Sequence, residues 1–337
     1  MIQSVVDIGR GAAGSSSGSF DYRASQSYAS TIDASVSDLR VRVCVDLAFE
    51  KTIPLTVMHG YSQDSGDFDQ ATVERLARRG WLVLAVDMRG RGGSSGTPDS
   101  GARERHDILD AVLWARANIA GCDQERWCVD GYSGGGGNAY GAVAAFGDRI
   151  THSIVHFGMT DYAAWYTEGA AGVPGTVSTW IGNTPSAATA AGLSQYIARE
   201  FRYAAPSVLA LQSANRLSIY HDTGDVPVNV SHSRTIVEHL NALRVPHSYT
   251  ESSDGTYAHG LPHDGGPGLV ASEPIWTPKA MASAPWSAGR RFKFRCAGFA
   301  NFKDFELWLG ERSSPAPRID LTDTLTAGGR SRVADVE

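Results

Sequence analysis

The sequence predicts an α/β protein built on an open, mostly parallel sheet with helices on both faces, and two observations carry that expectation. Strand-like and helix-like segments alternate along the chain, and the strand-like ones include continuous apolar runs such as TIPLTVMHG and WLVLAVDMRG. Runs of that kind suit strands covered on both faces. In such a sheet ligands sit beyond the carboxyl ends of the strands, so function is expected in the strand-to-helix loops.

Residues 1–37 are rich in Ser, Gly and Ala with little periodicity, and read as an irregular N-terminal arm. From Leu39, LRVRVCVDLAF alternates with a period of two, and TIPLTVMHG follows as its expected neighbour in the sheet. FDQATVERLARRG places Phe68, Ala71, Leu76 and Ala77 at mainly helical spacing and stops at Gly80. With WLVLAVDMRG it completes a right-handed strand–helix–strand crossover. RERHDILDAVLWARANIA repeats the theme, with Ile108, Ala111, Val112, Ala115 and Ile119 on one helical face. RWCVD then reads as a short strand, a helix begins near Asn138, and ITHSIVHFG, RLSIYH and HSYTE supply further strands.

Two segments break the rhythm. Residues 162–206 are rich in Ala, Gly, Ser and Thr, with Trp165, Tyr166, Trp180 and Tyr196 interspersed; a connection of this length predicts a lid or binding element. After about residue 265 comes a tail punctuated by Pro and Trp, then RFKFRC and FELWLG, whose alternation suits a hairpin or small sheet. The expected organisation is an arm over 1–37, a main domain over 38–265 with the insertion at about 162–206, and a C-terminal extension over 266–337.

Composition narrows the function. Of 337 residues 42% are apolar and 20% charged, which excludes a disordered chain, and 30 basic against 36 acidic residues give a net charge of −6 without a long block of either sign. Neither a nucleic-acid groove nor a membrane partner is expected. No window approaches the roughly 18 apolar residues of a membrane span, and the first residues lack the flank and core of a signal peptide, so a soluble protein is expected. The four cysteines, Cys44, Cys122, Cys128 and Cys296, show no C-x-x-C spacing and read mostly as buried thiols.

The pattern G-x-S-x-G occurs three times, around Ser16, Ser94 and Ser133. In a chain with 37 glycines the pattern alone says little, so context decides. A nucleophile elbow needs a strand before the serine and a helix after it, and Ser133 meets both demands, between RWCVD and NAYGAVAAF. A serine hydroxyl also needs a neutral imidazole to take its proton and a carboxylate to orient that imidazole. Downstream, Asp222 and Asp225 follow the strand RLSIYH, and His259 and His263 follow HSYTE, in the order nucleophile, acid, base. His221, at the strand end, reads as a packing residue. His259, His263 and Asp264 are metal-ligating types, but the Gly and Pro between them argue against a metal site.

HGY after a strand, GYSGG at the elbow, GDVPV after a later strand and YAHG near the end together resemble a serine hydrolase of the α/β-hydrolase superfamily, in its prolyl-oligopeptidase-like and dienelactone-hydrolase-like branch. The resemblance covers about residues 38–265 and implies the α/β-hydrolase fold. It selects Asp225 over Asp222, although the acid turn is about a residue shorter than usual, and His259, which precedes Gly260, over His263. It implies an oxyanion hole from the backbone N–H groups of Tyr61 and Gly134, a structural role for His59, and a structural turn in DMRGRGGSSG.

The expected activity is hydrolysis of carboxylic esters, small or polymer-borne, through an acyl-enzyme that requires no cofactor or metal. Tyr61, Trp165 and Trp180 are candidate walls of the acyl pocket. A peptidase is the nearest alternative; the branch's oligopeptidases usually carry a propeller before the hydrolase domain, whereas here the first core strand begins at Leu39. An inactive hydrolase-like binding module is the alternative from another class, set against by the complete Ser, Asp, His order. The C-terminal extension is a candidate surface for attachment or for a homo-oligomer.

Overall fold

The computed structural model describes residues 20–147, 149–170, 172–185, 190–202, 204–205, 217–259, 291–295, 304–309, 318–323 and 331–335. Its main sheet has eight strands: β1 (Phe20–Tyr28), β2 (Leu39–Asp46), β3 (Ile53–Met58), β4 (Trp81–Asp87), β5 (Cys128–Tyr132), β6 (His152–His156), β7 (Leu217–Asp222) and β8 (Ser248–Ser252). They lie in the order β1-β2-β4-β3-β5-β6-β7-β8. Strands β3 to β8 pair in parallel, and β2 runs antiparallel to β1 and β4.

Apolar residues alternate between two core layers. On β4, Leu82, Leu84 and Val86 join a cluster with Ile108, Ala111, Val112 and Ala115 of helix α2 (Glu104–Asn118) and with α3 (Gly134–Phe146). Trp81, Val83 and Ala85 face the opposite layer, with Val73, Leu76 and Ala77 of α1 (Gln70–Ala77). All seven residues of β4 are buried, so the continuous apolar run reflects cover on both faces. The Asp69 side chain accepts from Thr72 N (2.6 Å) and caps α1, and Gly80 takes a positive φ of 89° where the chain turns into β4.

Two expectations are corrected here. The arm over 1–37 is not irregular throughout, because β1 forms the sheet edge, in register from Phe20 opposite Asp46 to Tyr28 opposite Leu39. Its burial is mixed and its register slips between Arg23 and Gln26, so no clean alternation marks it in the sequence. β2 and β3 are also not neighbours: β4 lies between them, antiparallel to one and parallel to the other.

The insertion between β6 and β7 holds α4 (Tyr162–Glu168), α5 (Val173–Ile181) and α6 (Ala190–Ile197); α7 (Ser231–Ala242) links β7 to β8. Where the sequence suggests a hairpin or small sheet in the tail there are four strands, β9 (Arg291–Arg295), β10 (Asp304–Leu309), β11 (Arg318–Asp323) and β12 (Ser331–Asp335), in an antiparallel sheet of order β12-β11-β10-β9. Cys44, Cys122 and Cys128 are buried free thiols; Cys296 lies outside the described residues. Among the described residues no helix is long and apolar enough to cross a membrane.

Candidate active site

Ser133 stands between β5 and α3 with φ 55° and ψ −116°. A non-glycine residue there costs on the order of 1–3 kcal/mol, held in place by its surroundings. Its N–H donates to His156 O at the end of β6 (3.0 Å), and its carbonyl accepts from Gly137 N (3.1 Å). The turn can be this tight because α3 opens with glycines: a Cβ on Gly135 would lie 2.2 Å from Met58 O. The helix N-terminus thus sits directly against the end of β3, with its partial positive charge at the serine.

The loop after β3 supplies the facing wall. The Gln63 side chain accepts from Gly60 N (2.8 Å) and closes the turn that carries Tyr61. A Cβ on Gly60 would lie 3.5 Å from Ser133 Cβ, and one on Gly134 would lie 2.7 Å from Tyr61 N. The structure therefore brings the backbone of Tyr61 and Gly134 together beside Ser133. His59 is wholly buried, with Nδ1 2.9 Å from Gly60 O.

At the end of β7 the two candidate acids part company. Asp222 accepts from Gly224 N (2.8 Å), Gly255 N (2.9 Å) and the Ser252 hydroxyl (2.5 Å), which ties the turn after β7 to the loop after β8. Asp225 instead meets His259, whose Nδ1–H donates to Oδ2 (2.9 Å). Burial alone would raise the Asp225 carboxyl, but hydrogen bonds from His221, His259 and Val228 N hold it below the usual carboxylate range. With Nδ1 committed to the carboxylate, His259 keeps Nε2 for another partner. Phe157, at φ 40°, sets its ring 4.6 Å from the His259 ring, directly after the residue whose carbonyl holds Ser133 N. His263 lies outside the described residues.

The three candidate pocket aromatics form one cluster. Trp180 stacks on Tyr61 at 4.3 Å and is half-buried, and the Arg91 guanidinium also lies over its ring, 5.1 Å from the centroid. Trp165 is buried behind Tyr61, edge-on at 5.0 Å, and its Nε1–H donates to Pro227 O (2.7 Å). Tyr61 Oη bonds Ser100 Oγ, and burial pushes the phenol up. Arg199 of the insertion clamps that loop from behind, donating to Asp99 O (2.8 Å) and Ser100 O (3.0 Å). The nearby carboxylates already have partners: Glu104 meets Arg91 (2.6 Å) and Asp99 meets Arg103 (3.2 Å). The DMRGRGGSSG loop is thereby a structural turn, with Arg89 held by buried Asp107 (2.6 Å).

Sequence reasoning did not anticipate Phe157, Ser100, Arg199 or a bond from His221 to Asp225. For His221 a signal exists, a histidine at a strand end four residues before the acid. Ser100 and Arg199 carry none, since nearly 100 residues separate them.

Ser133 at its strand–helix turn beside the Tyr61 and Gly134 backbone, and the His259–Asp225 pair, are the groups that nucleophilic serine chemistry would use, and comparison with known proteins gives the family and the fold. A family model described as X-Pro dipeptidyl-peptidase (S15 family) matches residues 18–261. No curated protein matches the chain. Among solved structures, the acylaminoacyl peptidase of Pyrococcus horikoshii is similar at a TM-score of 0.59 and 20% identity, covering 74% of this chain and 39% of its own. A putative dipeptidyl aminopeptidase IV from Bacteroides ovatus is similar at 0.56 and 16%, covering 75% of this chain and 34% of its own. An esterase from Pyrococcus furiosus is similar at 0.50 and 18%, covering 72% of this chain and 83% of its own. At these identities the likeness is one of fold, the α/β-hydrolase fold, and the chain spans well under half the length of the two peptidases.

Proposed function

The chain belongs to the X-Pro dipeptidyl-peptidase (S15) family of serine hydrolases, and from that premise we propose that it cleaves carboxylic esters with an apolar or aromatic acyl group through an acyl-enzyme on Ser133. The Ser133 hydroxyl adds to the ester carbonyl as His259 Nε2 takes its proton. Asp225 stays ionised and holds the imidazolium that forms. The oxyanion is met by the N–H groups of Tyr61 and Gly134 at the positive end of α3. Collapse expels the alcohol, protonated by His259, and a water molecule repeats the sequence to release the acid.

The single observation that carries the serine chemistry in this reading is the His259–Asp225 hydrogen bond of 2.9 Å, which commits Nδ1 to the carboxylate and so assigns the base role to Nε2. The ester preference is supported by the Tyr61, Trp165 and Trp180 cluster, and by Glu104 and Asp99 being engaged with arginines rather than open to a substrate ammonium. The second reading, a peptidase, is favoured by the family match and by the peptidases among the structural neighbours. It uses the same groups, with His259 protonating a leaving amine.

A fluorophosphonate probe should label the wild-type protein and not Ser133→Ala; labelling that survives the substitution removes Ser133 from the role. Matched aryl ester and X-Pro amide substrates then separate the two readings. Faster acylation by the amide makes the protein a peptidase.

A further inference from the structure

Among the described residues no cluster of His, Cys, Asp and Glu is arranged to hold a metal ion, and the buried Asp130–His156 pair lies within the core beneath Ser133. His221 is different, because it is bonded to a group the reaction uses. It is wholly buried at the end of β7, and its Nε2 lies 2.9 Å from Val228 O and 3.3 Å from Asp225 Oδ2. Both are acceptors, so the hydrogen belongs on Nε2 and is shared between them. Nδ1 then accepts from the Ser233 hydroxyl of α7 at 2.7 Å, which fixes the ring. Oδ2 of Asp225 is thus the meeting point of two imidazoles, while Oδ1 accepts from Val228 N at 2.8 Å. Phe157 packs against both rings, edge-on to His221 at 6.4 Å and tilted on His259 at 4.6 Å.

We infer that His221 is a positioning residue for the reaction: with Ser233 behind it, it holds the Asp225 carboxylate in place and disperses its charge, and through Asp225 it sets the basicity of His259. The inference rests on the triad reading above. A donor to a carboxylate makes that carboxylate a weaker partner for its other donor. Removing the His221 N–H concentrates charge on Oδ2, strengthens its hold on the His259 proton, and moves the acid limb of the kcat/KM profile to higher pH. Freed from one of three donors, the carboxylate also orients His259 less well, which lowers kcat.

The test compares wild type, His221→Leu, His221→Gln and Ser233→Ala on an aryl ester, with pH profiles and fluorophosphonate labelling. His221→Leu should lose about ten- to a hundredfold in kcat, the range of one hydrogen bond to a charged group, with KM changed little and the acid limb moved up. His221→Gln, whose amide N–H reaches the same acceptors, should recover most of both. Ser233→Ala, which leaves the imidazole and its packing in place, should move the limb in the same direction by less, and it carries the test should His221→Leu fail to fold. If the folded variants keep the wild-type acid limb and kcat, the inference is overturned and His221 only packs. If wild type itself resists the probe, it is the triad reading that falls.

Discussion

Replacing Gly134 with alanine tests the proposed oxyanion site through a displacement that can be worked out in advance. The new Cβ would stand 2.7 Å from Tyr61 N, 3.0 Å from its Cα and 3.1 Å from its Cβ, whereas ordinary contact begins at 3.4 Å. The amide must therefore retreat by 3.4 − 2.7, about 0.7 Å. Tyr61 has little room to yield, since Trp180 and Trp165 pack its ring and Ser100 holds its hydroxyl. The clash falls on the donor itself, and a shift of about 0.7 Å exceeds the whole width of the 2.7–3.1 Å window in which an oxyanion donor works. One lost donor costs about 10²–10³ in kcat, or about 2.7–4 kcal/mol of transition-state stabilisation. The assay is kcat and KM on an aryl ester per mole of folded protein, with a thermal melt as the control for folding. KM should change little, because the donor acts on charge that develops after binding. A cooperatively melting Gly134→Ala protein with kcat within about threefold of wild type would refute the assignment of these two amides.

Other consequences follow from the same geometry. Burial pushes the Asp87 carboxyl up to about 6, against the bond it accepts from Ser65 N and the attraction of Arg42. A carboxyl raised above its unfolded value favours the folded state while protonated, so this contribution fades as pH rises from about 4 through about 6. Asp87→Asn keeps an acceptor for Ser65 N and should lessen the fall in Tm across that window; an unchanged difference between pH 4 and pH 7 would contradict it. Trp180→Ala removes the stack on Tyr61 and should raise KM for aryl-acyl esters by up to about tenfold, while acetyl esters change little. Equal effects on both would mean that Trp180 only packs the insertion.

How much was legible in the sequence depends on whether a feature is local. The strand–turn–helix around Ser133 could be read because the buried run, the glycines and the helix are contiguous, and the α2 face because 3.6-residue periodicity is a property of one segment. β1 escaped because FDYRASQSY sits at the edge, where one flank needs no apolar cover. The placement of β4 between β2 and β3 escaped because periodicity identifies strands and not their order. Within the site, the acid turn offered Asp222 and Asp225 three residues apart. What separates them is which direction each side chain takes, toward Ser252 and Gly255 or toward His259, and that is decided by the loop after β8. The aromatic cluster was visible as composition, but that Trp165 backs Tyr61 while Trp180 covers it follows only from folding the insertion onto the loops after β3 and β4.

The bond from Trp165 to Pro227 O ties α4 of the insertion to the turn that carries the acid. A rigid swing of the whole insertion would drag that turn, and with it the partner of His259, out of line. Room for a bulky substrate must therefore be made beyond Gly169, where the backbone turns at φ 72°, and short of Arg199, whose bonds to Asp99 O and Ser100 O are the next anchor. An engineer grafting a different cap onto this scaffold has a natural cut at that glycine, keeping α4 as a fixed strut.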